Sequence, residues 1–322
     1  MKIKWGVLGT AGIARWATIP GMKKSEYCEL YAIAGRNEKK ANDFKDEFGF
    51  KKAYVGYDQL LADPEVQAIY IPLPNDIHCE WVVKALNAKK HVLCEKPLAM
   101  NADEVKKMFD AARANNVILM EAYAYLHSPY VESLKKDVES GIIGKVDFID
   151  TAFVTQGYAE DFRLHKEFGG GAMYDLGCYC TTMILSLIDS DVSFLNASAE
   201  FEGGVDHLTT AVMKFANGAR ASFTVGMVLD RTSNSRFDRL YIHGTKGCIK
   251  SDVEYNQEGE LKYTIHSQGQ IIERTVTVPQ NYALELDQLN RCIMNGEKPH
   301  ITEEFSIKNA KLIDDVLKKI GY

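Results

Sequence analysis

No stretch of the sequence stays apolar for the roughly 18 residues that a membrane-spanning helix needs, so no transmembrane segment is expected. The opening MKIKWGVLGTAG has only a short, glycine-broken apolar stretch and no cleavage region, so no secretory signal is read there. Cysteine never occurs as Cys-x-x-Cys: Cys28, Cys79, Cys94, Cys178, Cys180, Cys248 and Cys292 are odd in number and scattered. Such spacing suggests neither a zinc knuckle nor a disulfide framework, and reduced thiols in the cytoplasm are expected. No close His/Asp/Glu cluster has zinc spacing, so no metal is expected. A basic excess is also missing. The net charge of -6 argues against nucleic acid as the main partner, although it leaves room for a local basic pocket. Internal repeats and low-complexity tracts are absent.

What remains is an ordinary globular composition, 46% hydrophobic and 25% charged, in 322 residues. That length suits about two domains, each with a sizeable core. In residues 1–122, strand-like and helix-like segments alternate. IKWGVLG (3–9), CELYAIA (28–34), QAIYIPL (67–73), HVLC (91–94) and VILMEAYAY (117–125) read as strands. Helices are expected from Gly12 with an interruption at Pro20, over 37–49, over 76–90 and over 102–116. Alternation with short connections predicts an α/β fold, a doubly wound parallel Rossmann sheet. Ligands then bind where the carboxyl ends of the strands line up.

The first crossover carries GTAGIA, with Gly9, Thr10, Ala11, Gly12 and Ile13 ahead of Ala14. A dinucleotide loop places glycine for a tight turn and for close backbone approach to a pyrophosphate. Here Ala11 takes the middle position and Gly12 follows it; a chance glycine turn is the alternative. After the second strand comes AGRNEKK: Gly35 and Arg36 stand where an NAD site usually has an acid. Arg36 suits a 2'-phosphate, which favours NADP over NAD. Pro72, Leu73 and Pro74 stiffen the loop after the third long strand, and Asn75 and His78 are read as site wall beside the cofactor edge. HVLCEKP ends a buried strand on Glu95 and Lys96 directly before Pro97. A strand stopping at a turn explains this blandly; a lysine aimed at a ligand is the sharper alternative.

The remainder, 123–322, reads as a second α+β domain for substrate binding and oligomerisation, with a large, mostly antiparallel, open-faced sheet. In ARASFTVGM, Ala219, Ala221, Phe223 and Val225 face one way and Arg220, Ser222 and Thr224 the other. HGTKGCI (243–249) lacks P-loop spacing and reads as a turn. One helix is interposed, in GGGAMYDLGCYCTTMILSLI (169–188), where Asp175 and Tyr179 fall one turn apart. A buried tyrosine bonded to an aspartate is the structural alternative. Arg163 precedes the three glycines and is a candidate contact to substrate or cofactor. Tyr123 is expected to line the pocket.

GTAGIA, EKP at a strand end and GGGAMYDLGCY, in this order, resemble the Gfo/Idh/MocA oxidoreductases over nearly the whole chain. Tyrosine in the last motif is similar to the branch with dihydrodiol and xylose dehydrogenases. The resemblance implies catalytic Lys96, Asp175 and Tyr179, a cleft between domains, and a cis bond before Pro97. The implied reaction moves a hydride between nicotinamide and a carbinol or carbonyl carbon of a sugar, sugar derivative or cyclic diol. A free tyrosine titrates near ~10, and a neighbouring ammonium lowers that value. Tyr179 is then the acid–base and Lys96 its electrostatic partner, although the two roles are exchangeable. Asp175 orients one of them or a substrate hydroxyl, and Glu95 faces the cofactor edge. A nucleotide-binding sensor without turnover and a nicotinamide-assisted glycosidase are the rival readings. The open sheet is expected to pack against a second copy, giving at least a homodimer.

Overall fold

The computed structural model describes every residue except 1, 231, 233, 234, 253 and 254. In chain order the elements are β1 (Ile3–Leu8), α1 (Ile19–Lys24), β2 (Cys28–Gly35), α2 (Glu38–Phe48), β3 (Lys52–Val55), α3 (Tyr57–Leu61), β4 (Ala68–Ile71), α4 (His78–Asn87), β5 (His91–Glu95), α5 (Ala102–Asn115), β6 (Leu119–Ala122) and α6 (Pro129–Glu139). They continue with β7 (Val146–Gln156), α7 (Cys178–Leu187), β8 (Val192–Glu202), β9 (Val205–Phe215), β10 (Arg220–Leu229), β11 (Arg236–Gly244), β12 (Gly247–Ser251), β13 (Gly259–Ser267), β14 (Gln270–Val278), α8 (Asn281–Asn295) and α9 (Glu303–Ile320).

One compact unit comprises Met1–His127 and Gln280–Ala310. Its sheet has the order β3-β2-β1-β4-β5-β6, and all five neighbouring pairs are parallel. Ile69, Ile71, Val92 and Cys94 are buried with Val82, Leu86, Val105 and Met108 of the helices in one apolar core. The helix expected from Gly12 is a wide π-helical turn over Ala14–Thr18 that leads into α1. Pro20 does not break α1: it stands in the first turn, where no N–H is needed. The strand β3 and helix α3 had no signal in the sequence. Four half-exposed residues at a sheet edge show no useful alternation.

The expected boundary at 122 differs from the observed units, because 280–310 packs with the nucleotide half. The physical reason is a set of buried hydrogen bonds. Trp5 Nε1 donates to Asn290 Oδ1 at 3.1 Å, Asn290 Nδ2 reaches Cys28 Sγ at 3.2 Å, and Gln280 Nε2 donates to the Ala17 carbonyl at 2.9 Å. Ser25 also bonds Asp287.

The second unit comprises Ser128–Pro279 and Lys311–Tyr322. Its eight-stranded sheet has the order β14-β13-β12-β11-β7-β10-β9-β8. Every pair is antiparallel except β7 with β10. Ala221, Phe223 and Val225 are buried as their alternation demands, and α6 and α7 cover that face. The register places Arg239, Tyr241, Thr224, Ser222, Asp150, Val212 and Phe237 together on the other face.

Candidate active site

The chain turns immediately after β1. Gly9 holds φ +113, where a side chain is rarely tolerated, and a Cβ there would stand 3.0 Å from Leu73 Cδ2. Its N–H donates to the Ala34 carbonyl at 2.8 Å. The turn is therefore stitched to β2 and packed on the loop after β4. Thr10 and Ala11 are half-buried, and Gly12 and Ile13 are exposed. A Cβ at Gly12 would meet only the Trp16 ring, at 3.7 Å, so the outer side of the turn is open to a ligand. Exposed Arg36 follows Gly35 and hydrogen-bonds Tyr57. An open glycine turn leading into a helical run, with a guanidinium beside it, fits a phosphorylated dinucleotide.

Lys96 follows β5 at the same sheet edge and is half-buried. Around it the backbone is tightly held. Glu95 Oε1 accepts from the Tyr70 hydroxyl at 2.6 Å, and that hydroxyl accepts from Thr18 Oγ1 at 2.9 Å. Burial, then the Glu95 charge, pushes Tyr70 well above its ordinary pKa. The His78 ring contacts the Pro97 carbonyl through Nδ1 at 3.0 Å and the Leu73 carbonyl through Nε2 at 2.7 Å. Only a doubly protonated ring donates to both; burial pulls the other way and lowers its pKa. The Leu98 N–H donates to Glu121 Oε1 at 2.9 Å, and Ser306 Oγ donates to Glu121 Oε2 at 2.6 Å. The Lys96–Pro97 bond is cis.

In the second unit the glycine run is packed against backbone. The Gly171 N–H donates to the Arg163 carbonyl at 2.8 Å, and the Tyr322 hydroxyl donates to the Gly170 carbonyl at 2.8 Å. Asp206 Oδ2 accepts from the Met173 N–H at 2.8 Å and from Thr209 Oγ1 at 2.6 Å, anchoring the wide helical turn Met173–Gly177 that enters α7. Burial pushes Asp206 up to about 6. Asp175 Oδ1 lies 2.8 Å from Arg163 Nε, and Oδ2 accepts from the Tyr158 hydroxyl at 3.2 Å. Burial would depress the Arg163 guanidinium, but the Asp175 carboxylate and its neighbours outweigh that and raise it. Asn256 Nδ2 donates to the Tyr179 hydroxyl at 3.3 Å, and the Tyr179 ring meets Phe153 at 5.4 Å and Tyr255 at 5.3 Å. Tyr179 is half-buried between fully buried Cys178 and Cys180.

Residues 3–123 match the model of an oxidoreductase family with an NAD-binding Rossmann fold, and residues 131–250 match the Gfo/Idh/MocA C-terminal domain. The chain belongs to the Gfo/Idh/MocA oxidoreductases. Over 97% of its length it is 32% identical to D-xylose 1-dehydrogenase (NADP(+)) 2 of Haloferax volcanii, covering 95% of that protein. It is 29% identical to trans-1,2-dihydrobenzene-1,2-diol dehydrogenase of Xenopus laevis, over 100% of this chain and 99% of the relative. The structure of the 3-ketoreductase KijD10 from Actinomadura kijaniata, in complex with NADP and TDP-benzene, superposes with a TM-score of 0.93 at 27% identity. That match covers 99% of this chain and 98% of KijD10.

Within this oxidoreductase, several residues stand where the sequence placed them and others do not. Gly9 to Ile13, Arg36, Glu95 and Lys96 gather at the carboxyl edge of one sheet, with buried Pro72 and Leu73 behind the glycine turn. His78 is not a wall residue: it is fully buried, and both ring nitrogens face protein carbonyls. Asn75 is likewise buried at 5% exposure. Tyr123 does not line a pocket either. It is 0% exposed, and its hydroxyl accepts from Asn309 Nδ2 at 3.0 Å. Arg163 and Asp175 do come together. Glu121, Tyr70 and Tyr158 were not anticipated. The available signal for Glu121 was a carboxylate inside the apolar run VILMEAYAY.

Burial pushes Glu121 up to about 7 from an ordinary 4.5. A carboxyl with a raised folded-state pKa contributes stability below about 4.5 that is lost as pH rises through about 7. Glu121→Gln cannot ionise and escapes this loss. Urea unfolding at successive pH values should therefore show the variant gaining on the wild type by up to about 3 kcal/mol between pH ~4.5 and ~7.5. Parallel stability curves would show that Glu121 does not titrate in this range.

Proposed function

We propose that this oxidoreductase uses NADP, in preference to NAD, to interconvert a carbinol and a carbonyl in a sugar, a sugar derivative or a cyclic diol. The observation that carries the reading is the shared sheet edge: the open glycine turn after β1 and Lys96 after β5 lie at the carboxyl ends of strands in one parallel sheet. When bound, the nicotinamide supplies or takes the hydride. Similarity to an NADP-linked xylose dehydrogenase, a dihydrodiol dehydrogenase and a ketoreductase supports the substrate class. Arg36, standing directly after β2 where an NAD site usually has an acid, supports the 2'-phosphate.

Tyr179 exchanges the proton of the reacting oxygen, and Lys96 supplies the positive charge that favours a phenolate. The paired Asp175 and Arg163 hold substrate hydroxyls: the carboxylate accepts and the guanidinium donates. The enzyme works in the cytoplasm, where seven cysteines outside any disulfide are stable. It assembles at least as a dimer through the open face of the eight-stranded sheet. Val212, Val228, Phe237 and Ile271 are exposed there beside polar neighbours, and a stable interface needs such an apolar centre.

Three measurements test this reading. Tyr179→Phe should lose at least about 100-fold in kcat with NADPH binding retained, at the lower end of what acid–base catalysis contributes; a fully active variant ends the assignment. Arg36→Ala should raise KM for NADP by roughly 10-fold or more and leave KM for NAD nearly unchanged, since charge-assisted phosphate contacts are among the strong hydrogen bonds. Equal effects on both would remove Arg36 from the 2'-phosphate site. Sedimentation should find a dimer that Val212→Asp combined with Phe237→Asp dissociates, and a monomeric wild type would refute the interface.

A further inference from the structure

A lysine side chain has four rotatable methylenes, so its ammonium can be aimed only if its backbone root is fixed. The Pro97–Leu98 peptide group, just beyond Lys96, is gripped at both its polar ends by fully buried side chains. The Pro97 carbonyl faces His78 Nδ1 at 3.0 Å, and the Leu98 N–H donates to Glu121 Oε1 at 2.9 Å. Each grip is rooted in a separate rigid element. His78 opens α4 and also contacts the Leu73 carbonyl at 2.7 Å. Glu121 lies in β6 directly beside Cys94 of β5, and its second oxygen takes the Ser306 hydroxyl of α9 at 2.6 Å. Burying a carboxyl is costly unless donors meet it, and here both oxygens meet one.

We propose that His78 and Glu121 are positioning residues for Lys96, clamping the backbone on its carboxyl side so that the ammonium keeps one direction. Neither touches the reacting atoms; both act through the lysine. The inference rests on the catalytic reading of Lys96 given above. It adds that the strength of that lysine is set by two residues buried behind it.

The test is a double-mutant cycle on the full-length protein, with the best substrate from a panel of aldoses, dihydrodiols and ketosugars. NADPH affinity is measured separately by fluorescence titration. Glu121→Leu should lower kcat by about 10-fold or more while the Kd for NADPH changes less than about 3-fold. Glu121→Gln keeps an oxygen for the Leu98 N–H and should lose clearly less. In a Lys96→Met background, Glu121→Leu should cost less than about 2-fold further, because groups acting as one unit are not additive. Multiplicative losses, or kcat and NADPH affinity falling together, would overturn the clamp. If Glu121→Leu does not fold, His78→Asn is read in the same cycle by the same criteria. A fully active Lys96→Met would instead defeat the catalytic reading, with the clamp falling as its consequence.

Discussion

Parallel pairing is the constraint on which the nucleotide half depends. Six mutually parallel strands must all end on one edge. That edge receives the glycine turn of β1, the arginine after β2, the proline-stiffened loop after β4 and the lysine after β5. None of these residues is near another in sequence. The order β3-β2-β1-β4-β5-β6 places the change of winding direction between β1 and β4, which is where a crevice must open. Gly9 packs against Leu73 there, so the crevice floor is built by contact between the two loops that diverge from it.

The second unit solves a different problem. A sheet with one covered face supplies no strand-end edge of this kind, and the candidate groups Asp175 and Tyr179 stand on an interposed helical segment. The glycines at 170 and 171 let the backbone of Arg163 approach the helix start. That approach brings the Arg163 guanidinium to Asp175. Asp206 secures the first turn from behind, in a site so enclosed that its carboxyl is held up near 6. A carboxyl so raised lowers stability as pH rises through about 6, and holding this helix start from a buried position carries that cost.

Much of this was legible in the sequence because it is periodic or locally coded. Alternation in 219–227 gave the faces of β10 correctly, and GTAGIA and EKP gave the sheet edge. What escaped detection depends on contacts remote in sequence. His78 looks like an exposed helix-start residue until Leu73 and Pro97 close over it. Tyr123 follows a strand end, yet Asn309, 186 positions later, holds it inside. The placement of 280–310 with the first half depends on Trp5 and Cys28 meeting Asn290, and no local pattern encodes such pairs. β3 is too short and too exposed to alternate.

Glu95 and the buried acid Glu285 differ in what meets their carboxyls. Glu285 of α8 is 0% exposed, and among the described residues neither of its carboxyl oxygens has a hydrogen-bond partner. Burial first, and the Glu95 charge second, raises its pKa well above the ordinary value. Glu95 differs, because the Tyr70 hydroxyl donates to it and Thr18 in turn donates to Tyr70. Two neighbouring carboxyls in a low-dielectric interior do not ionise together. Donors that meet one carboxyl and not the other separate their affinities for a proton. Glu95, the one that receives a donor, directly precedes Lys96 in the chain. The Thr18–Tyr70 chain thus holds the Glu95 side chain in place, and with it the strand end from which Lys96 departs.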